Sequence, residues 1–331
     1  MQPKATIIIP VYNGESTIRQ AVDSAVNQDT KEPYEVLIID DGSKDSSGKI
    51  IDEYAEKYDY VHVVHQKNQG ICRTRENALR LAQGDYIYWV DADDYADAKL
   101  LSATLPNLED GADMVIFSTR YFLQNGEVKL DKIRNPAKKR DGWYRDALDS
   151  HLATVWTYAA RKKLWGAIKI PHELQRSGED GYMTIHALQR ASRVDAVSDI
   201  LYFHLVDSFL SLRHTVSGMV YLGNAFLWLY RLKICEKDWS GKVNFCAVRA
   251  FSGYVKAFCM NTLSHDLSEE DCQQIRKELS YLKKYPVGHR VKDWLLCWAI
   301  LSDNIWICQK YADYKNNKTA KINHKISSAK K

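Results

Sequence analysis

No stretch of this sequence stays apolar long enough to cross a bilayer as a helix. The two best attempts, Met219–Cys235 and Trp294–Cys308, are interrupted by Asn224 and Arg231 and by Asp303 and Asn304. Cysteine is scarce and scattered. The seven in 331 residues form no Cys-x-x-Cys pair, so neither a zinc site nor a disulfide framework is indicated. Neither sign of charge dominates, with 46 basic against 42 acidic residues. There is also no arginine-rich cluster, zinc-finger spacing or RNA-binding aromatic signature, and no nucleic-acid partner is expected. Glycine-rich phosphate loops are missing too. No Gly-x-Gly-x-x-Gly follows the first strand-like segment, and no Gly-Lys-Ser/Thr run marks a P-loop. Met1-Gln2-Pro3-Lys4 leads straight into that segment; the expectation is no signal peptide and a cytoplasmic, reduced protein.

What is present is an ordinary globular composition, 45% hydrophobic and 27% charged, with enough chain for one large domain or two smaller ones. Over the first 120 or so residues, strand-like and helix-like patterns alternate. Ala5–Ile9 reads as a β-branched strand ended by Pro10, and Ser16 as the N-cap of a helix carrying Ile18, Ala21, Val22 and Ala25. Glu35–Ile39 and Val61–Val64 read as further strands, with a helix around Ile50–Ala55 between them and another ending at Gly84. Tyr86–Val90 is the fourth strand and Asp113–Ser118 the fifth. This order predicts a doubly wound, mostly parallel α/β sheet.

The fourth strand ends in Asp91-Ala92-Asp93-Asp94, three carboxylates in four residues. Ligands of parallel sheets bind beyond the carboxyl ends of the strands, where Tyr12, Asp40-Asp41 and Asp91–Asp94 all fall. Clustered like charges call for a counter-charge, and carboxylate oxygens suit Mg²⁺ or Mn²⁺. A solvated acidic loop is the competing reading, as a simple Asp-Gly turn is for Asp40 and Asp41. Together the positions suit a nucleoside diphosphate. Tyr12 would flank the base, Asp40 or Asp41 accept from a base N–H, Asp91 hold a ribose hydroxyl and Asp93 ligate the metal.

Beyond Arg120 the chain is polar, peaking at Lys138-Lys139-Arg140, read as a solvated basic face with acceptor-phosphate binding as the alternative. His151–Trp165 is aromatic-rich and expected to be partly helical, beside the sheet. Glu179-Asp180 is placed in a loop ahead of a helix from Met183, as a cap or as a general base. His204 follows in a strand, read as structural with metal ligation as the alternative; Arg213 or His214 would meet a diphosphate or lie on the surface. From Ser217 the pattern is helical, with Trp294–Ile305 as one helix, and the lysine-rich end is read as a solvated tail or as a hold on an anionic inner leaflet.

Four segments together resemble the family 2 glycosyltransferases, the inverting family with the GT-A fold. They are Ile7–Asn13, Val36–Ser43, Gly84-Asp85-Tyr86 leading to Asp91–Asp94, and Glu179-Asp180. The resemblance implies a GT-A-type α/β catalytic domain over residues 1–215, with a nucleotide-sugar-binding half (1–120) and an acceptor half (121–215). Residues 216–331 would form a helical C-terminal region. It implies that Pro10, Tyr12 and Asp41 line the nucleoside pocket, that Gly70 and Arg75 lie under the donor, and that Asp91 faces the ribose. Asp93, with Asp94 beside it, would bind Mn²⁺ or Mg²⁺, and Asp180, with Glu179 next to it, would be the base. The activity implied is hexosyl transfer from a UDP-sugar to a glycan or lipid-linked acceptor, in surface polysaccharide or lipopolysaccharide synthesis, peripheral to the inner membrane. A scaffold that binds nucleotide sugars without turnover is the alternative, and a sugar nucleotidyltransferase a further one.

Overall fold

A computed structural model describes residues 2–123, 126–206, 217–286 and 291–328. The chain divides into two compact units: Met1–Ile170 with Asp180–Leu210, and Pro171–Glu179 with Ser211–Lys331.

The first unit is built on one sheet. Strands β1 (Ala5–Val11), β2 (Tyr34–Asp40), β3 (Val61–His65) and β4 (Tyr86–Trp89) run parallel in the order β3-β2-β1-β4. Helices α1 (Ile18–Val26), α2 (Ser47–Lys57) and α3 (Ile71–Leu81) connect them. Every residue of β1 is buried, as a strand covered on both faces requires, and this is why β1, β2 and β4 read as near-continuous apolar runs; the edge strand β3 buries only Val61. Pro10 does not end β1. It pairs with Ile39 of β2, beyond Ile8↔Trp89, the last register pair with β4. At that point the strand has lost its neighbour on one side, and the missing proline N–H is tolerated. Ser16 is not the helix cap either: α1 starts at Ile18 with Thr17 at the cap and no side-chain capping bond. Gly84 lies against β1 so closely that a Cβ would come within 2.5 Å of the Ala5 carbonyl carbon.

The remaining strands make the sheet mixed. β5 (Tyr95–Ala96) pairs antiparallel with β9 (Val194–Val206), which lies parallel to β6 (Met114–Leu123). β7 (Val128–Asp131) hangs off β6, and β8 (Tyr158–Arg161) enters antiparallel between β4 and β6. The segment expected beside the sheet therefore supplies a strand inside it; Tyr158, Ala159 and Ala160 are fully buried. Helices α4 (Leu100–Glu109), α5 (Arg140–Leu148) and α6 (Glu179–Arg190) complete the elements built on this sheet, and α6 begins at Glu179, so that about one turn expected as loop ahead of Met183 is helical.

The second unit is helical: α7 (Gly218–Asp238), α8 (Val243–Ser264), α9 (Glu269–Leu282), α10 (Val291–Leu301) and α11 (Ile305–Ser328). α7 and α8 approach closely where Gly253 faces Ala225, since a Cβ on the glycine would lie 2.8 Å from the alanine Cβ. α9 opens with a reciprocal capping box between Ser268 and Asp271. The single helix expected over Trp294–Ile305 is two, broken at Asp303, whose φ of +56° no helix accommodates.

Candidate active site

The carboxyl ends of β1, β2 and β4 lie at one edge of the sheet, and the loops there are stitched together. Asn13 takes a positive φ of 52°; its N–H donates to Ser43 Oγ at 2.9 Å and its Oδ1 accepts from Lys44 N at 2.8 Å. Beside it Tyr12 is half exposed while Pro10 is buried in the strand. An exposed ring beside an ordered turn is a surface on which a base can stack.

Asp40 and Asp41 are both buried, and both turn to the protein. Asp41 accepts from the Gln66 side chain and the Gln69 N–H through one oxygen and from Gly70 N–H through the other, each at 2.8 Å. It thus fixes the loop that leads into α3, where Gly70 stands at φ +81°, a conformation that favours glycine. The expected contact from Asp41 to a base has to share a carboxylate already holding three donors. Asp40 accepts from Ser43 N–H at 2.8 Å and meets His65 Nδ1 at 2.8 Å, while His65 Nε2 meets Asp52 at 3.0 Å. Burial pushes the Asp40 carboxyl up, but the bonds from Ser43 and His65 outweigh it and hold the carboxyl below its ordinary value. The same bonds from Asp40 and Asp52 raise the His65 imidazole above 6.5.

That pair gives a pH prediction with a definite sign. A histidine whose folded pKa is raised stabilises the fold fully below its unfolded pKa and loses that contribution as pH rises through the folded value. The ring is 46% exposed, so screening limits the effect to about 1 kcal/mol or less. Melting curves of wild type and His65→Gln should converge as pH rises above about 6.5; a constant gap across that window would contradict it.

The acidic loop after β4 divides into three roles. Asp94 is buried and anchors the loop to β9: Tyr202 Oη donates to it at 2.8 Å, Leu205 N–H at 2.8 Å, and His204 Nδ1 lies 2.9 Å away. Tyr202 Oη also accepts the Asp91 N–H at 3.0 Å. Asp94, expected beside Asp93 at the metal, has both oxygens hydrogen-bonded to β9, and His204, read as structural with metal ligation as the alternative, turns Nδ1 to Asp94. Trp156 stacks on both Tyr202 and His204, with centroids at 4.8 and 5.0 Å, and this aromatic support had no clear signal in the sequence. Asp93, by contrast, is exposed. Among the described residues no three His, Cys, Asp or Glu side chains gather as a complete metal site. An exposed carboxylate on an anchored loop suits Mg²⁺ or Mn²⁺ of the kind that takes one or two protein carboxylates and completes its shell with substrate phosphates.

Asp91 and Asp180 are brought together by Arg75. The Arg75 side chain is 2% exposed, and its Nη2 lies 2.9 Å from Asp180 Oδ1 and 3.4 Å from Asp91 Oδ1. Its guanidinium carbon sits 5.2 Å from the Trp89 ring centre. One cation on α3 therefore joins the end of β4 to the first turn of α6. Burial drives the Asp91 carboxyl well above its ordinary range; Arg75 opposes that, and Asp180, Asp94 and Asp93 add to it. Asp180 occupies the second position of α6, where the helix dipole favours a carboxylate, and Glu179 precedes it at the first. Glu76, next to Arg75, points elsewhere and accepts the Ile170 N–H at 2.6 Å. Arg213 and His214 lie outside the described residues.

The family model described as glycosyl transferase family 2 matches residues 6–164. The "Uncharacterized glycosyltransferase EpsJ" of Bacillus subtilis is 26% identical over 62% of this chain and 61% of its own length. The "Poly(ribitol-phosphate) beta-glucosyltransferase" of Bacillus spizizenii is 30% identical over 61% of this chain and 32% of its own length. The chain thus spans less than two thirds of each of these relatives. Among solved structures, S. aureus TarS 1–349 in complex with UDP-GlcNAc superposes with a TM-score of 0.60 over 95% of this chain and 92% of that one, at 19% identity, a likeness of fold. The strand ends that carry Tyr12, Asp41, Asp91 and Asp93 thus lie within the segment that matches the family 2 glycosyltransferases, residues 6–164.

Proposed function

We propose that this chain is an inverting, UDP-sugar-dependent hexosyltransferase. It would act on a hydroxyl of a glycan or lipid-linked acceptor in bacterial surface polysaccharide synthesis, in the cytoplasm at the inner face of the membrane. The observation that carries the reading is Arg75 holding Asp91 and Asp180 on one nitrogen. A carboxylate at the nucleotide-binding strand end and a second carboxylate at a helix start are what donor binding and acceptor deprotonation each require. The UDP-GlcNAc bound by the similar fold of TarS supports the donor class, and the poly(ribitol-phosphate) named for one relative supports a hydroxyl-bearing polymer as the kind of acceptor.

In this reading Tyr12 stacks on the base, the Asp41-held loop shapes the pocket, and Asp91 takes the ribose hydroxyls. Asp180 removes the proton of the acceptor hydroxyl as its oxygen bonds to the anomeric carbon. The bond from that carbon to the diphosphate breaks, and the nucleoside diphosphate departs with the electron pair. One displacement inverts the centre, so an α-linked donor yields a β-linked product. A Mn²⁺ or Mg²⁺ ion held by Asp93 and the donor's phosphates would supply positive charge to the departing oxygens.

The test is nucleotide release from a panel of UDP-, GDP- and dTDP-sugars in Mn²⁺, Mg²⁺ or EDTA, with Asp93→Ala alongside. Release from a UDP-sugar that EDTA stops and Asp93→Ala reduces at least about a hundredfold is expected. Equal release in EDTA would remove the metal from the account, and release from a GDP-sugar alone would replace the donor.

A further inference from the structure

The helical unit has one face that does not fit a water-exposed surface. On α10 the side turned inward is apolar, with Leu296, Cys297, Ala299 and Ile300 buried, yet the outward side is apolar too. Trp294, Leu295 and Trp298 are 42–55% exposed there. After the short link Ser302–Asn304 the pattern continues on α11, where Ile305 is 54%, Trp306 69% and Tyr314 59% exposed. Single exposed apolar residues are ordinary, but six between Trp294 and Tyr314 on two consecutive helices are a concentration of the kind that marks an interaction site.

The composition of the patch selects the partner. Trp and Tyr, with an apolar body and a polar tip, are the residues that settle at the headgroup level of a bilayer. The charge beside them is predominantly basic: from Val291 to Ser328 the sequence has six lysines against three aspartates, and one of those aspartates, Asp303, is paired with Arg276. Lys310 stands 5.8 Å from the Trp306 ring centre and Lys292 4.3 Å from that of Tyr311, so cations sit beside the aromatic rings. Lys315, Lys318, Lys321 and Lys325 follow along α11. Among the described residues no helix is long and apolar enough to cross a membrane. Aromatic insertion beside lysines without a spanning segment is the chemistry of a helix pair lying on an anionic leaflet.

We propose that the α10–α11 corner, led by Trp298 and Trp306, docks the protein on an anionic phospholipid surface. Indole rings enter the interface while Lys292, Lys310 and Lys315 meet lipid phosphates. The inference deepens the membrane-face location given above but does not depend on the transfer chemistry, and the two fail separately.

The test is flotation of the full chain with vesicles of phosphatidylcholine alone and of phosphatidylcholine with phosphatidylglycerol in equal parts. Wild type is compared with Trp298→Ser/Trp306→Ser and with Lys310→Gln, each checked for an unchanged melting curve. Binding to the mixed vesicles is expected, weaker by about tenfold or more on phosphatidylcholine alone. It should fall about tenfold or more for the double tryptophan variant and about fivefold for Lys310→Gln. Nucleotide release without vesicles should be equal in all three proteins. No binding to the mixed vesicles would overturn the proposal, as would binding indifferent to the tryptophans. So would self-association in sedimentation equilibrium that the tryptophan changes abolish, because the corner would then be an interface between copies.

Discussion

Asp180→Asn is expected to lower sugar transfer by about 10²–10⁴-fold, the usual worth of a positioned general base, with little change in donor affinity. Asparagine keeps the shape of the side chain and an oxygen able to accept from Arg75 Nη2, which lies 2.9 Å from Asp180 Oδ1. What it cannot do is take a proton from the acceptor hydroxyl. The effect should therefore fall on kcat, with donor affinity measured by calorimetry nearly unchanged. Glu179 stands one position earlier on α6, about 100° around the helix, so a single acceptor hydroxyl can face only one of the two carboxylates. If Asp180→Asn keeps most of its activity while Glu179→Gln loses it, the assignment of the base reverses.

Arg75→Met is expected to do more damage and of a different kind. It removes the cation from between two carboxylates in a site where Arg75 itself is 2% exposed. Deleting one partner of a buried ion pair costs about 3–5 kcal/mol, because the charges left behind are desolvated and unbalanced. Asp91 is already driven up by burial against the opposing pull of Arg75, so without the arginine it should become protonated at still higher pH. Both melting temperature and transfer should fall, and Arg75→Lys should recover stability better than activity, since a point charge does not reproduce a planar guanidinium over Trp89. Adding Asp180→Asn to Arg75→Met should restore part of the lost stability, as one of the two unbalanced charges is gone. A strictly additive double variant would show that the contacts seen at Arg75 carry no coupling.

The parts of the fold that were legible in the sequence were those whose physics is local. Buried parallel strands write unbroken apolar runs, so β1, β2 and β4 could be read directly, while β3, an edge strand with only Val61 buried, showed through its three valines. β8 could not be read, because Ala159 and Ala160 belong to the sheet by position and carry almost no strand signal of their own. β5 has two residues, Tyr95 and Ala96, too few to show a period. The break between α10 and α11 turns on the backbone of Asp303, which the apolar stripe across it conceals.

The site divides in the same way. An apolar strand that stops in carboxylates marks Asp91 to Asp94 as a strand end, but it does not tell which acid faces out. Asp94 turns inward because Tyr202 and Leu205 on β9 offer donors, and Asp41 because the Gln69 and Gly70 N–H groups need an acceptor. Arg75 was visible on α3, but its hold on Asp180 joins residues more than a hundred apart and exists only in three dimensions. Trp156, Tyr202 and His204 read as ordinary core residues until their stack under the acidic loop is seen.

The most direct measurement pairs donor binding with turnover in one experiment: calorimetry and nucleotide release on the same UDP-sugars, for wild type and Asp180→Asn in parallel. The account predicts one UDP-sugar that both proteins bind with similar affinity and that only the wild type consumes at an appreciable rate once an acceptor glycan is supplied. Equal turnover by the two proteins, or binding of no nucleotide sugar by either, would contradict it.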